Sequence, residues 1–243
     1  MNLGNSLWLV GILVEAIVLF LLFSRGIWRT LPVFSFYCLW DLTSNGLVLP
    51  FTNHWAHGFL KLFLGLTIAD AIFVLAVLTE VFWSVLRPLH SSLPRATRFV
   101  LLGFFSIVAI FAWPLTAVEG FGKLTSLIIH IQQVSSLLRI VVFVLLAACS
   151  QFLSLGWRDR EFQVATGLGI YSLVSFGAML IHAHKTDVSQ YSSINQFVVA
   201  SYLCSLLYWV YSFAQKEAER RAFTPQMQDL LLAVAGVARE QRL

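Results

Sequence analysis

Charge is scarce in this chain. Asp, Glu, Lys and Arg together make up 12% of its 243 residues, against 58% hydrophobic, which is roughly half the charge of an average soluble domain. A soluble fold of this length cannot hide so much apolar surface. Cysteine is sparse as well: Cys38, Cys149 and Cys204 are odd in number, lack CxxC spacing and fall inside apolar stretches. That pattern argues against a disulfide framework and a thiolate metal site, and the three read as small packing residues. No phosphate-binding loop, HExxH, GxSxG or dinucleotide fingerprint occurs, so enzyme readings lose most of their support. No internal repeat is visible, and only Pro114 falls inside a helical stretch. Transporters built from paired, broken helical repeats fit that pattern poorly.

What the chain has in abundance is long apolar runs. A hydrocarbon core of roughly 30 Å takes about 20 apolar residues per helix, and seven such stretches can be drawn, over 7–23, 33–50, 59–86, 99–118, 124–155, 164–182 and 194–215. The short connections between them predict one antiparallel bundle over 1–223 and no separate soluble domain. Arg25 and Arg29 follow the first stretch, Arg87, Arg95 and Arg98 the third, Arg158 and Arg160 the fifth, and Lys216, Arg220 and Arg221 the seventh. The alternate connections carry only Lys61, Lys123 and Lys185, each at a stretch edge. Basic residues favour the cytoplasmic side, so the N-terminus is expected outside and the C-terminus inside. The net charge of +4 then reflects topology and leaves no basic patch for nucleic acid. The leader 1–6 has no positive charge and no small-x-small site precedes Ser24, so the first stretch reads as a retained helix and not a signal peptide. The expected class is an all-α polytopic membrane protein, a seven-transmembrane-helix bundle of the cell membrane.

Against this background the buried charges stand out. Glu15, Asp41, Asp70 and Glu80 lie within apolar stretches and are answered only by Arg139. Each ionised group in hydrocarbon costs about 2.5 kcal/mol or more, so the excess of acid calls for protonation, a bound cation or cationic ligand, or a water-filled cavity. The plainer alternative pairs Arg139 with Asp70 or Asp41 and lets the other acids hydrogen-bond across helices as packing groups. Polar residues recur at helical spacing: Tyr37, Asp41, Ser44 and Asn45 on the second stretch, and Gln132, Ser135, Ser136 and Arg139 on the fifth. Gly167, Tyr171, Ser175 and His182 share a stripe on the sixth, and Ser201, Cys204, Ser205 and Tyr208 one on the seventh. Gly169 and Gly177 are expected to admit close helix approach. Glu15, Asp41, Asp70 and Arg139 fall near the midplane. Glu80 lies ten residues beyond Asp70, about 80° round the helix and roughly 15 Å deeper, which predicts a separate role. Glu15, Asp41, Asp70, Glu80, Arg139, Gln132 and Tyr171 are therefore the candidate ligand-binding or proton-relay residues; none is assigned as catalytic.

His54, His57, His182 and His184 gather at the expected outer face, a weak candidate set for zinc or copper; interfacial anchoring beside Trp55 explains them as well. His130 reads as a helix-interface residue. A retinal cofactor is argued against because 194–215 contains no Lys for a Schiff base, and no other cofactor is expected. After the last stretch, Thr224-Pro225 forms an N-cap and first helical position. Met227, Leu230, Leu231, Val234, Val237 and Ala238 then recur at helical spacing, so 224–243 is expected to form a cytoplasmic amphipathic helix. It would lie on the lipid bilayer or dock a cytoplasmic protein partner.

The stretches ADAIFVLAVLTEVFWSVLRPL (69–89), SLLRIVVFVLL (136–146), LGWRDREFQVATGLGIYS (155–172) and ASYLCSLLYWVYSF (200–213) resemble pieces of small uncharacterised bacterial seven-helix integral membrane proteins. The resemblance runs from the third stretch to the seventh. It implies a standalone inner-membrane bundle with an acid-bearing third helix, an arginine in the fifth and a Trp-Arg loop before a glycine-rich sixth. Family members carry Tyr-Trp and Glu around positions 66–70, where this chain has Leu66, Thr67 and Asp70. No shared ligand or activity is carried over. The expected function is a non-enzymatic sensor or receptor-like module with a polar, acidic intramembrane cavity. The alternatives are a small-solute or proton-coupled transporter, and a structural or assembly subunit of a membrane complex. Transport predicts that the four acids line one continuous path; sensing predicts a cavity closed on the cytoplasmic side.

Overall fold

The computed structural model describes residues 3–51, 56–85, 97–116, 122–149, 159–184 and 188–215. These form seven α-helices and, among the described residues, no strand: α1 (Leu3–Ser24), α2 (Pro32–Phe51), α3 (Ala56–Val85), α4 (Thr97–Ala112), α5 (Lys123–Cys149), α6 (Arg160–His184) and α7 (Val188–Ala214). Helices α3, α5, α6 and α7 are long and apolar enough to cross a membrane, and α1 and α4 contain shorter apolar runs. Large apolar side chains face outward along the bundle, among them Leu13, Phe20, Phe36, Ile72, Phe111 and Phe197. An exposed belt of this kind is unsuited to water and marks the chain as a membrane protein.

Helix α1 packs on α2 and α7, which closes a ring; α3 sits centrally against α2, α4, α5 and α6, and α4 lies outside against α3 and α5. The core runs from Val18 and Leu22 through Phe34, Val77 and Leu78 to Leu138, Trp209 and Phe213. Helix α6 is wedged between α5 and α7 through two glycines on opposite faces. A Cβ at Gly167 would stand 2.2 Å from Trp209 Nε1, and one at Gly169 2.4 Å from the Phe143 ring. The expectation for Gly177 was wrong: nothing lies within 4 Å of a Cβ there, because its face of the helix has no close neighbour.

Two boundaries differ from the sequence reading for physical reasons. The fourth stretch ends as an α-helix at Ala112, and a single 3-10 turn covers Trp113–Thr116, since Pro114 lacks an N–H and restricts the residue before it. His130 pins that turn to α5, stacking on Trp113 at 5.3 Å with Nδ1 3.0 Å from Thr116 Oγ1. Arg160, expected in a loop, opens α6 and is 5% exposed. It donates to the Ser212 and Gln215 carbonyls at 2.7 and 2.6 Å, while Arg25 donates to the Ala214 carbonyl at 2.8 Å. Two arginines thus bind carbonyls at and just past the end of α7, where intrahelical partners run out, and complement its negative end. Ser84 joins α3 to the same end, donating to Glu161 at 2.6 Å.

The start of α2 explains Glu80. Helix α1 ends where Gly26 adopts φ 70°, a left-handed position that glycine takes without penalty, and a 3-10 turn over Ile27–Arg29 leads to Pro32. Pro32 brings no N–H and Leu31 has no capping oxygen, so the next two N–H groups of α2 need an acceptor from elsewhere. Glu80 on α3 supplies both: Val33 N–H donates to Oε1 and Phe34 N–H to Oε2, each at 2.8 Å. Its carboxylate is a helix cap delivered across the bundle, so the separate role expected for Glu80 is structural. Glu80→Ala should lower stability by about 2 kcal/mol, and Glu80→Gln, which keeps one acceptor oxygen, by less. Thermal unfolding in detergent is the measurement; equal losses for the two would contradict the capping assignment.

Candidate functional site

The polar stripe of α2 faces inward as its spacing requires. Tyr37 is 7% exposed, and one turn on, Asp41 meets the two helices that flank α2's inner face. Tyr202 on α7 places its hydroxyl 2.8 Å from Asp41 Oδ2 and in hydrogen-bond contact with Glu15 Oε1 on α1. Asn45 adds a donor to the same Glu15 oxygen at 3.1 Å. The Tyr171 ring of α6 stands edge-on to Tyr202 with centroids 5.4 Å apart, and Ser175 hydrogen-bonds Tyr171 one turn along. Four helices thus contribute to one acidic cluster.

A partly open cavity of about 410 Å³ adjoins it, bounded by Glu15, Asp41, Asn45, Tyr171, Gln196 and Tyr202 on its polar side. Leu7, Gly11, Ile12, Val198, Val199 and Leu203 form the rest of the wall. Glu15 is 4% exposed, and its second oxygen, Oε2, is buried without a partner. An orphaned buried carboxylate oxygen is costly, and here it belongs to a residue that lines an open volume.

The second constellation is Asp70 with Arg139. Arg139 Nη2 lies 3.2 Å from Asp70 Oδ2, the arginine side chain 6% exposed and the aspartate 36%. Asp41, Tyr37 and Tyr171 lie within electrostatic range of the guanidinium, so its positive charge faces the acidic cluster as well. The four midplane groups therefore form two linked pairs, Glu15 with Asp41 through Tyr202, and Asp70 with Arg139. Glu80 lines a different cavity of about 590 Å³ with Arg29, Thr30, Trp83 and Ser84.

Three expectations change. Tyr202 is the centre of the site, and of the α7 stripe assigned to Ser201, Cys204, Ser205 and Tyr208 only Ser205 shares its inward phase. Cys204 is exposed and Ser201 bonds its own helix at Val198, whereas Tyr202, Ser205 and Trp209 point inward. The signal that could have found Tyr202 is its seven-residue spacing from Trp209. On α5 the deeply buried amide is Gln133, 4% exposed; Gln132 is half-buried and not part of the cavity wall. Among the described residues no three His, Cys, Asp or Glu gather as a metal site. His54 and the side chains of His57, His182 and His184 lie outside the described residues, as does the tail helix expected over 224–243.

The pair on α3 and α5 yields an asymmetric prediction. Asp70→Asn removes the carboxylate touching a guanidinium that cannot reach water, at an expected loss of about 3 kcal/mol. Arg139→Gln leaves the charge on the less buried partner, 36% exposed against 6%, and should cost less. Thermal unfolding in detergent at neutral pH distinguishes the two, the reverse order contradicting the assignment. No family model, curated protein or solved structure matches the chain, so its function is argued from this geometry.

Proposed function

We propose that the chain is a multi-pass protein of the cell membrane, with seven membrane-crossing helices, an outer N-terminus and a cytoplasmic C-terminus. It acts as a sensor or receptor-like module that admits a small solute to the Glu15–Asp41 cavity. The observation that carries this reading is the separation of the acids. Glu15 and Asp41 share one cavity, while Glu80 lines another and commits both carboxylate oxygens to the backbone of α2. Beneath the first cavity Val18, Leu22, Phe34, Trp209 and Phe213 are each at most 5% exposed. Phe34 contacts Trp209 and Phe213 edge-on. A carrier needs acids along one path from both sides; a floor of packed aromatic rings favours binding without passage.

Several features agree with the orientation and with a non-enzymatic role. The cavity lies at the end where α1 begins, and Arg25, Arg29 and Arg160 lie at the opposite end, as basic residues on the cytoplasmic side would. His130, the acid–base group an intramembrane enzyme would recruit, is held by Thr116 and Trp113. Helix α7 joins the two ends. Tyr202 forms the site, Arg25 and Arg160 hold the last carbonyls, and the chain continues into the tail proposed to reach a cytoplasmic partner.

The test is labelling by a membrane-impermeant maleimide in a background lacking Cys38, Cys149 and Cys204. Gln196→Cys should react from outside only and Arg29→Cys from inside only; the opposite result would reverse the topology. The same protein in sealed vesicles should bind solute without uptake. Flux that disappears with Asp41→Asn would make it a carrier.

A further inference from the structure

Resting on the reading of the cavity as a ligand site, we propose that its ligand is a small organic ammonium ion, bound in exchange for one proton. Hydrogen-bond stoichiometry leads there. Tyr202 has one hydroxyl hydrogen and two carboxylate neighbours, Glu15 Oε1 and Asp41 Oδ2. It can donate to only one of them at a time, and we assign a hydrogen on the other carboxyl to complete the second contact. The empty pair therefore holds one acid proton in addition to the phenolic one.

Three further observations select an organic cation. Glu15 Oε2 is buried and unpartnered on a side chain that is 4% exposed and lines the cavity; a charged N–H donor satisfies such an oxygen where a neutral group does so weakly. Tyr171 and Tyr202 line the same volume with their rings edge to face, and an aromatic face turned to the cavity attracts a cation. Leu7, Ile12, Val199 and Leu203 line the same cavity and give it apolar surface that a bare metal ion leaves uncovered. A hard divalent cation takes about six to eight oxygen ligands, and no cluster of three acidic, His or Cys ligands gathers among the described residues. A volume of about 410 Å³ lies at the small end of ligand pockets, which suits a single aromatic or branched aliphatic ring system bearing one ammonium.

On binding, the ammonium N–H groups donate to Glu15 Oε2 and to the carboxyl that carried the acid proton. That proton leaves through the open side of the cavity, so one positive charge enters and one departs. The titratable and charged groups around the pair are Cys38 and Tyr37 on α2, Asp70 on α3, Arg139 on α5, Tyr171 on α6 and Tyr202 on α7. Arg139 faces Asp41 but is bonded to Asp70, so Glu15 is the acid left for the ligand. Because the proton competes with the cation, affinity rises with pH while the amine stays protonated.

The experiment is calorimetric titration of the full chain in nanodiscs of zwitterionic lipid with benzylammonium, benzyl alcohol and benzoate at pH 6, 7 and 8. Benzylammonium should bind, the other two far more weakly, and its affinity should increase by up to about tenfold per pH unit, the limit for release of one proton. Glu15→Gln should weaken it by roughly 30-fold or more, with Asp41→Asn as the second variant and thermal unfolding confirming that each is folded. Benzyl alcohol or benzoate binding as tightly, in a manner lost with Tyr202→Leu, overturns the cation class and leaves the ligand cavity standing. Benzylammonium binding with no pH dependence overturns the proton exchange. No binding by any of the three overturns the cation proposal, and the cavity reading then rests on outer labelling of Gln196→Cys.

Discussion

A polar atom enclosed by an apolar surround has to find its partner inside the protein, because no water stands ready to replace it. That constraint accounts for nearly every polar contact in this bundle. The N–H groups at the start of α2 reach a carboxylate on α3, and the carbonyls at the end of α7 reach arginines from the α1 end and from α6. The Trp209 indole donates to the Gln163 carbonyl at 3.2 Å. Helix ends that a soluble protein leaves to solvent are closed here by side chains from other helices. These caps tie α1, α2, α3, α6 and α7 together at the arginine-bearing end, where the packing of apolar residues alone specifies little about register.

The same constraint sets the Glu15 cluster apart. Glu80 has both oxygens engaged and Asp70 is bonded to Arg139 and partly exposed, so neither demands anything more. Glu15 has one engaged oxygen and one buried without a partner, on a side chain that lines the cavity. Other buried side-chain atoms lack a partner as well, Gln133 Oε1 and Ser172 Oγ among them; Glu15 Oε2 differs in belonging to a residue that lines the open cavity. The cavity lining combines acidic and aliphatic side chains, the combination on which the proposed organic cation rests.

Much of this was legible in the sequence, and the limits have physical causes. Helical spacing on α2 was sufficient to align Tyr37, Asp41 and Asn45, because polar residues on an otherwise apolar helix have only one direction to face. The ten-residue step from Asp70 to Glu80 separated their roles for the same reason. Tyr202 escaped because tyrosine sits equally well in a core or at a lipid interface, so its hydroxyl does not announce an inward phase as an aspartate does. Serines 201 and 205 gave no better guide: a serine can bond its own preceding turn, as Ser201 does, and is then indifferent to the face it occupies. Arg160 was read as a loop charge because chain position says nothing of the carbonyls that another helix brings to it. Gly177 shows the converse error, since a small residue permits close packing only where a neighbouring helix arrives.

Gly167 and Trp209 connect the site to the opposite end. The indole lies against the bare Cα of Gly167 and donates to the Gln163 carbonyl one turn earlier on α6, so α7 is seated closely on α6. Two turns above it, Tyr202 holds Glu15 and Asp41; one turn below, Phe213 packs under Phe34 while Arg160 lies 5.7 Å over the Phe213 ring. All three side chains project from one helix, and close-packed helices shift between discrete arrangements more readily than they deform. A ligand that draws Tyr202 toward or away from α1 therefore acts on a rod seated at Trp209 and clamped at its end by Arg25 and Arg160. In the proposed sensor, a displacement at the cavity would be carried through that seat to the clamps as a rotation or slide of α7, without any opening in the floor.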